Sequence, residues 1–169
     1  MGEPIHEKIK QSIDAAEGIY HRLVLLVGDT GTGKTGVLNK VADELGTSVT
    51  NINLAISAEL LELTPKRRSL RLPEILDSIT AQAQSPVILD NLEILFDKTL
   101  EQDPLRLLQG ISRNHTVVAS WNGSMNSGKL LYAEIGHPEY RNYDSVDAMI
   151  VTMDGRATTD DPQLLRTAD

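Results

Sequence analysis

The chain has no cysteine among its 169 residues. That excludes disulfides, thiol nucleophiles and cysteine-ligated zinc, and it suits a reducing compartment, so a cytoplasmic location is expected. Aromatic residues are scarce: one Trp, one Phe and four Tyr. They are too few for a stacking platform that would carry single-stranded nucleic acid. Positive charge is short as well, with 16 Lys and Arg against 24 Asp and Glu and a formal net charge of −8. Such a chain does not hold nucleic acid through bulk charge, and any contact needs a local basic patch. No apolar run approaches the roughly 20 residues that span a bilayer, so no membrane contact is expected. Met1-Gly2-Glu3-Pro4 lacks the basic segment and apolar stretch of a secretory leader, and His6 stands where a myristoylation signal needs Ser or Thr. His6, His21, His115 and His137 are scattered without metal-ligand spacing.

Apolar residues make up 40% of the chain and the mean hydropathy is −0.20, values of one domain with a real core. Residues 28–35 read Gly-Asp-Thr-Gly-Thr-Gly-Lys-Thr and satisfy the phosphate-loop pattern G-x-x-x-x-G-K-[ST] at every position. The pattern carries a mechanism. Gly28, Gly31 and Gly33 let the backbone turn tightly and aim several N–H groups at an anion. The helix that follows adds the positive end of its dipole. The expected ligands are ATP and Mg²⁺. Gly28, Asp29, Thr30, Gly31, Thr32, Gly33, Lys34, Thr35 and Gly36 would surround the phosphates, with Lys34 on the β- and γ-phosphates and Thr35 on the metal. No guanine-specific N/T-K-x-D segment is present, which favours adenine.

The surroundings agree with the motif. Residues 4–20 read as an amphipathic helix with Ile5, Ile9, Ile13 and Ala16 on one stripe. Residues 23–27 are an apolar run that predicts a buried parallel strand, and Val37, Leu38, Val41, Ala42 and Leu45 mark one face of a helix stopped by Gly46. A second strand is expected near 48–52, a helix over 55–63, a basic connector over 65–71, and a helix starting at Pro73. The third strand, 87–89, ends at Asp90, and Asp103-Pro104 opens the next helix as cap and first residue. The fourth strand covers 116–121 and is closed by a turn at Asn122-Gly123. A loop over 124–128, a short strand over 130–133, an irregular segment over 136–143 and a last strand over 147–153 follow. Strands alternating with helices predict a parallel sheet covered on both faces, with the ligand at the carboxyl ends of the strands. Gly28, Asp90 and Asn122 fall at such ends.

Asp90 is placed to hold Mg²⁺ together with Thr35; as a bland reading it caps the next turn. Asn91 follows it, where many ring-forming ATPases carry the glutamate that orients the attacking water. An amide accepts no proton usefully. Glu93 is the candidate base, or else a solvent-facing carboxylate. Asn122, with Ser120, would lie between the Asp90 strand and the glycine loop and sense the γ-phosphate; the alternative is a turn-forming Asn-Gly pair. Arg113 and Arg141 are candidates for stabilising charge in a neighbouring subunit's site, or surface ion pairs. Lys66, Arg67, Arg68 and Arg71 form a cluster that would meet DNA or an acidic partner, or lie solvated on a loop. Tyr132, Tyr140 and Tyr143 fall within twelve residues; with Arg141 they suit either an interface anchor or ordinary packing.

Several stretches beyond the phosphate loop resemble one family. These are Val87-Ile88-Leu89-Asp90-Asn91-Leu92-Glu93-Ile94-Leu95-Phe96, Gln102-Asp103-Pro104-Leu105-Arg106-Leu107-Leu108-Gln109-Gly110, Thr116-Val117-Val118-Ala119-Ser120-Trp121-Asn122-Gly123 and Gly136-His137-Pro138-Glu139-Tyr140. Together they resemble the BrxF family, the small P-loop proteins of type 3 BREX, a bacterial phage-exclusion system. The likeness runs from about residue 5 to 153. It implies an ATPase-like component of an antiphage complex whose neighbours include a DNA methyltransferase, an alkaline-phosphatase-like protein and a large ATPase. By the family pattern the nucleotide-binding roles fall on residues 28–35, Asp90 and Asn122.

The fold expected is α/β, a P-loop NTPase sheet of AAA+/ASCE type flanked by helices. About 45 residues follow the fourth strand, too few for the helical lid of a full AAA+ protein. The expected division is an amphipathic helix over 1–22 packing on the core, an NTPase domain over 23–153 and a polar tail over 154–169. The functional expectation is an ATP-dependent switch or assembly ATPase with slow hydrolysis, forming a homo-oligomer on ATP binding. A non-hydrolysing DNA-binding adaptor and a small-molecule kinase are the alternatives.

Overall fold

The computed structural model describes residues 4–133 and 136–154. Leu23-Val24-Leu25-Leu26-Val27 is apolar on both sides of the pleat, as a strand covered on two faces must be. It forms β1 (Leu23–Gly28), with those five residues buried. β1 runs parallel to β4 (Val117–Asn126) on one side and β7 (Met149–Thr152) on the other. β4 pairs with β3 (Val87–Asp90), and β3 with β2 (Val49–Asn51), again in parallel. The order is β2-β3-β4-β1-β7. Register sets Gly28 beside Asn122 and Asn51 beside Asp90, so the strand ends that carry polar residues share one edge of the sheet.

Alternate residues of β1 serve opposite layers. Val24 and Leu26 pack with Ile9 and Ile13 of α1 (Ile5–Ala16) and with Leu38 and Val41 of α2 (Lys34–Leu45). Leu23, Leu25 and Val27 pack with α3 (Ile52–Leu61), α4 (Pro65–Gln82) and α5 (Pro104–Ile111) through Ile56, Leu72 and Leu108. Gly46, at φ 71°, ends α2 as its left-handed cap.

Three local expectations need correction. Residues 65–71 are no connector. They are the first two turns of α4, because Pro65 takes the first-position role read at Pro73 and Thr64 caps it, its hydroxyl accepting from the Arg67 N–H. Pro73 lies inside that helix, where it gives no N–H to the Ser69 carbonyl. The Gln102 side chain donates to that carbonyl instead, at 2.7 Å. Asn122-Gly123 is no turn either. β4 continues through it to Asn126 and pairs antiparallel with β5 (Lys129–Tyr132) across Ser127-Gly128, whose φ values of 54° and 81° suit a two-residue hairpin. Part of the segment read as irregular is β6 (Arg141–Tyr143), on the outer side of β5. Among the described residues the elements after β4 are all strands. Residues 155–169 of the expected tail lie outside the described residues.

Candidate nucleotide site

The loop between β1 and α2 turns through Gly31 at φ 85° and Gly33 at φ 97°, a backbone sense that side-chain-bearing residues rarely adopt. Lys34 opens α2, whose first-turn N–H groups lack partners within the helix and face the loop. The Lys34 side chain is buried, and its Nζ donates to the carbonyls of Gly28 at 2.7 Å and Asp29 at 2.8 Å. Burial lowers its pKa, against the raising effect of Asp90, Asp29 and Glu93. The Asp29 carbonyl also accepts from the Thr32 hydroxyl at 2.7 Å.

Asp90 is buried at the end of β3 with both oxygens satisfied by hydroxyls. Thr35 Oγ1 donates to Oδ2 at 2.6 Å, and Ser120 Oγ of β4 donates to Oδ1 at 2.7 Å. A threonine hydroxyl and a buried carboxylate that converge beside a phosphate loop are the hard oxygen donors that magnesium takes. Thr35 and Asp90 are therefore the pair that fits Mg²⁺, with Ser120 orienting the carboxylate.

The chain leaves β3 through Asn91, at φ 57°, into a 3₁₀ turn over Glu93–Phe96. Asn tolerates this left-handed conformation better than most residues. The turn swings Glu93 back toward the strand ends. Its Oε1 accepts from Asn53 Nδ2 at 3.2 Å, and its Oε2 accepts from Asn122 Nδ2. Asn53 is itself fixed, since its Oδ1 accepts from the Ile94 N–H at 3.0 Å and its own N–H donates to the Asn91 carbonyl at 3.0 Å. Asn53 was not among the residues expected from the sequence. Glu93 and Asn122 border a cleft of about 710 Å³ whose other walls include Thr30, Tyr132 and His137.

Residues 24–118 match the family model of AAA, the ATPase family associated with various cellular activities. That span is more than half of the chain and holds the phosphate loop, Asp90 and Glu93. The chain belongs to the AAA family. It is thus a nucleotide-binding P-loop ATPase in fold, and its parallel sheet flanked by helices is the fold expected. The AAA match ends at Val118, so most of β4, the hairpin beyond it and β7 lie outside the matched span. No helix among the described residues of this AAA chain is long and apolar enough to cross a membrane.

The remaining candidates fall elsewhere. Arg113 sits at the opposite end of the sheet, where its Nη1 donates to Tyr20 Oη at 3.2 Å and its carbonyl accepts from Arg22. Arg141 lies on β6 and donates to the Gln102 carbonyl at 3.1 Å. Neither forms part of the cleft wall in its own AAA chain. Tyr132 and Tyr143 pack inward, Tyr132 stacked on Phe96 at 3.4 Å and Tyr143 edge-on to Trp121 while donating to Asp103 at 2.8 Å. In the basic cluster, Arg68 donates to the Leu60 and Leu63 carbonyls at the end of α3, and Arg71 pairs with Glu74 at 2.7 Å. His6 lies 3.5 Å from Glu7 and 3.8 Å from Glu44, but Lys10 already bridges those carboxylates at 3.0 and 2.8 Å.

Proposed function

We propose that this AAA-family protein is a Mg²⁺-dependent ATP switch or assembly ATPase with slow intrinsic hydrolysis, working in a bacterial antiphage complex of the BREX type. The observation that carries the chemical part is Glu93, a carboxylate aimed at the cleft beside the phosphate loop and held there by two side-chain amides. In this reading Lys34 and the loop amides bind the phosphates. Thr35 and Asp90 would hold Mg²⁺, which when bound would supply neutralising charge at the phosphates. A water in the cleft gives its proton to Glu93 as its oxygen bonds to the γ-phosphorus, and the bond to the β-phosphate oxygen breaks. Hydrolysis is slow in isolation because the amides of Asn53 and Asn122 already engage both Glu93 oxygens, and a water must compete with them for the carboxylate.

Among the described residues no arginine lies in the cleft wall, so a cation to offset transition-state charge would come from another subunit, with Arg141 and Arg113 as donors. That supports a homo-oligomer completed by ATP. The antiphage role and the company of other BREX components rest on the likeness to the BrxF family. The test is ATP turnover per subunit across a wide range of protein concentration. A rate that climbs with concentration and is lost in Arg141→Ala supports a shared site. A flat rate near zero with ATP bound makes the protein a nucleotide-gated scaffold, and ATP affinity unchanged in Lys34→Ala overturns the reading.

A further inference from the structure

The cleft beside Glu93 has two walls. One is the phosphate loop, at Asp29 and Thr30; the other is Tyr132 on β5 and His137 in the segment after it. The second wall lies outside the residues that match the AAA model.

Its two polar groups are both hydrogen-bond donors. The Tyr132 ring is fixed by stacking on Phe96, which sits in the same 3₁₀ turn that begins with Glu93. The residue is 6% exposed and lines the cleft. Burial above all, then the charges of Glu93 and Glu139, pushes its pKa up to about 12, so it stays an O–H donor at neutral pH. In His137 the Nδ1 accepts from the Glu139 N–H at 3.0 Å. That bond puts the proton of the neutral ring on Nε2 and leaves an N–H donor there. Of the two carboxylate residues that border the cleft, Asp29 lies on the loop side, and Glu93 is engaged, since both its oxygens accept from amides. Two neutral donors thus stand across the cleft from a loop built to hold phosphates. Such donors call for an anionic oxygen.

We propose that Tyr132 and His137 form a second phosphate-binding wall that holds the terminal phosphate of the bound nucleotide, as the γ-phosphate before cleavage and as free phosphate after it. The inference rests on the ATP-binding reading and deepens it. The α- and β-phosphates lie on the loop amides and the helix start, so the opposite wall reaches only the third. The wall therefore separates ATP from ADP.

Calorimetric binding of Mg²⁺-bound AMP-PNP and of ADP to the full chain tests this. In His137→Ala the AMP-PNP affinity falls about tenfold while ADP stays within about twofold, as expected for one lost hydrogen bond to a charged group. His137→Gln, which keeps a side-chain N–H, recovers part of the loss. Tyr132→Phe keeps the stack on Phe96, lacks only the O–H, and shifts the same ratio. Inorganic phosphate titrated onto the ADP complex supplies the second arm: weaker phosphate binding in His137→Ala and Tyr132→Phe assigns the wall to the cleaved product as well. An AMP-PNP to ADP ratio unchanged in all three variants, or an equal loss for both nucleotides, overturns the proposal alone. A wild-type chain that binds neither nucleotide overturns the ATP reading along with it.

Discussion

At the scale of single residues, Lys34 is the side chain whose removal is felt first. Its ammonium satisfies two loop carbonyls and would meet two phosphates. Lys34→Ala is expected to weaken Mg²⁺-ATP binding at least about 100-fold, a loss of charged hydrogen bonds read by calorimetry. Glu93→Gln separates binding from chemistry. The amide keeps the size and one acceptor but takes no proton, so phosphate release in a single turnover falls about 100-fold or more while ATP affinity is kept. Gly123 makes a third case. A Cβ there would stand 1.8 Å from the Leu131 carbonyl oxygen, and Trp121 Nε1 holds that oxygen in place at 3.0 Å. Gly123→Ala is expected to cost about 3 kcal/mol or more in urea unfolding. The sequence drew attention to this glycine for the wrong reason, since Asn-Gly usually marks a turn and here marks a close approach of two strands. Asn53 was silent for a related reason: one amide in the run Ile52-Asn53-Leu54-Ala55-Ile56 looks like a helix-start residue, and only the return of the chain after Asp90 makes it a partner of Glu93.

At the scale of elements, periodicity and caps set most of the layout, and their failures are local. The strands β1, β3 and β4 are apolar runs with few rivals, and Asp103-Pro104 caps α5 as read, with Asp103 Oδ1 accepting from the Leu105 N–H at 3.0 Å. The helix start expected at Pro73 falls eight residues late, because Pro65 opens α4 and Pro73 lies inside it; a proline inside a helix is tolerated only if something else serves the carbonyl it abandons. Gln102, 33 residues away, does so, and no spacing rule reveals it. The pair predicts its own cycle. Gln102→Ala leaves the Ser69 carbonyl short of a donor and lowers stability by about 1 kcal/mol. In a Pro73→Ala background the helix supplies that N–H, and Gln102→Ala then costs markedly less. Urea midpoints of the two single variants and the double variant measure the coupling.

For the molecule as a whole, the sheet edge and the aromatic cluster set how function and stability share one region. The phosphate-loop edge of the sheet gathers Gly28, Asp90 and Asn122, but Asn122 lies inside β4 rather than at its end, and the far wall of the cleft comes from a hairpin whose extent the sequence hid. Trp121, Phe96, Tyr132 and Tyr143 join that hairpin to the core. Tyr132 is pushed up to about 12 and Tyr143 is raised too, in both cases chiefly by burial, and for Tyr143 also by its bond to Asp103. In the unfolded chain both titrate near 10. Above that pH the unfolded state loses protons first, so the folded state binds more of them and stability falls as pH rises. The contribution of these phenols is complete below pH about 10 and drains away toward 12 and beyond. Lys34 works in the opposite sense, because its lowered pKa makes the folded state release its proton before the unfolded chain does. The wild-type profile mixes both effects, so the difference between proteins is the informative quantity. Urea unfolding at pH 8, 10 and 11 is expected to show a steeper alkaline loss for the wild type than for Tyr132→Phe or Tyr143→Phe. Equal slopes would mean that the phenols leave their protons as freely in the folded chain as in the unfolded one, and that the hairpin is less firmly seated on the core than the stacked rings imply.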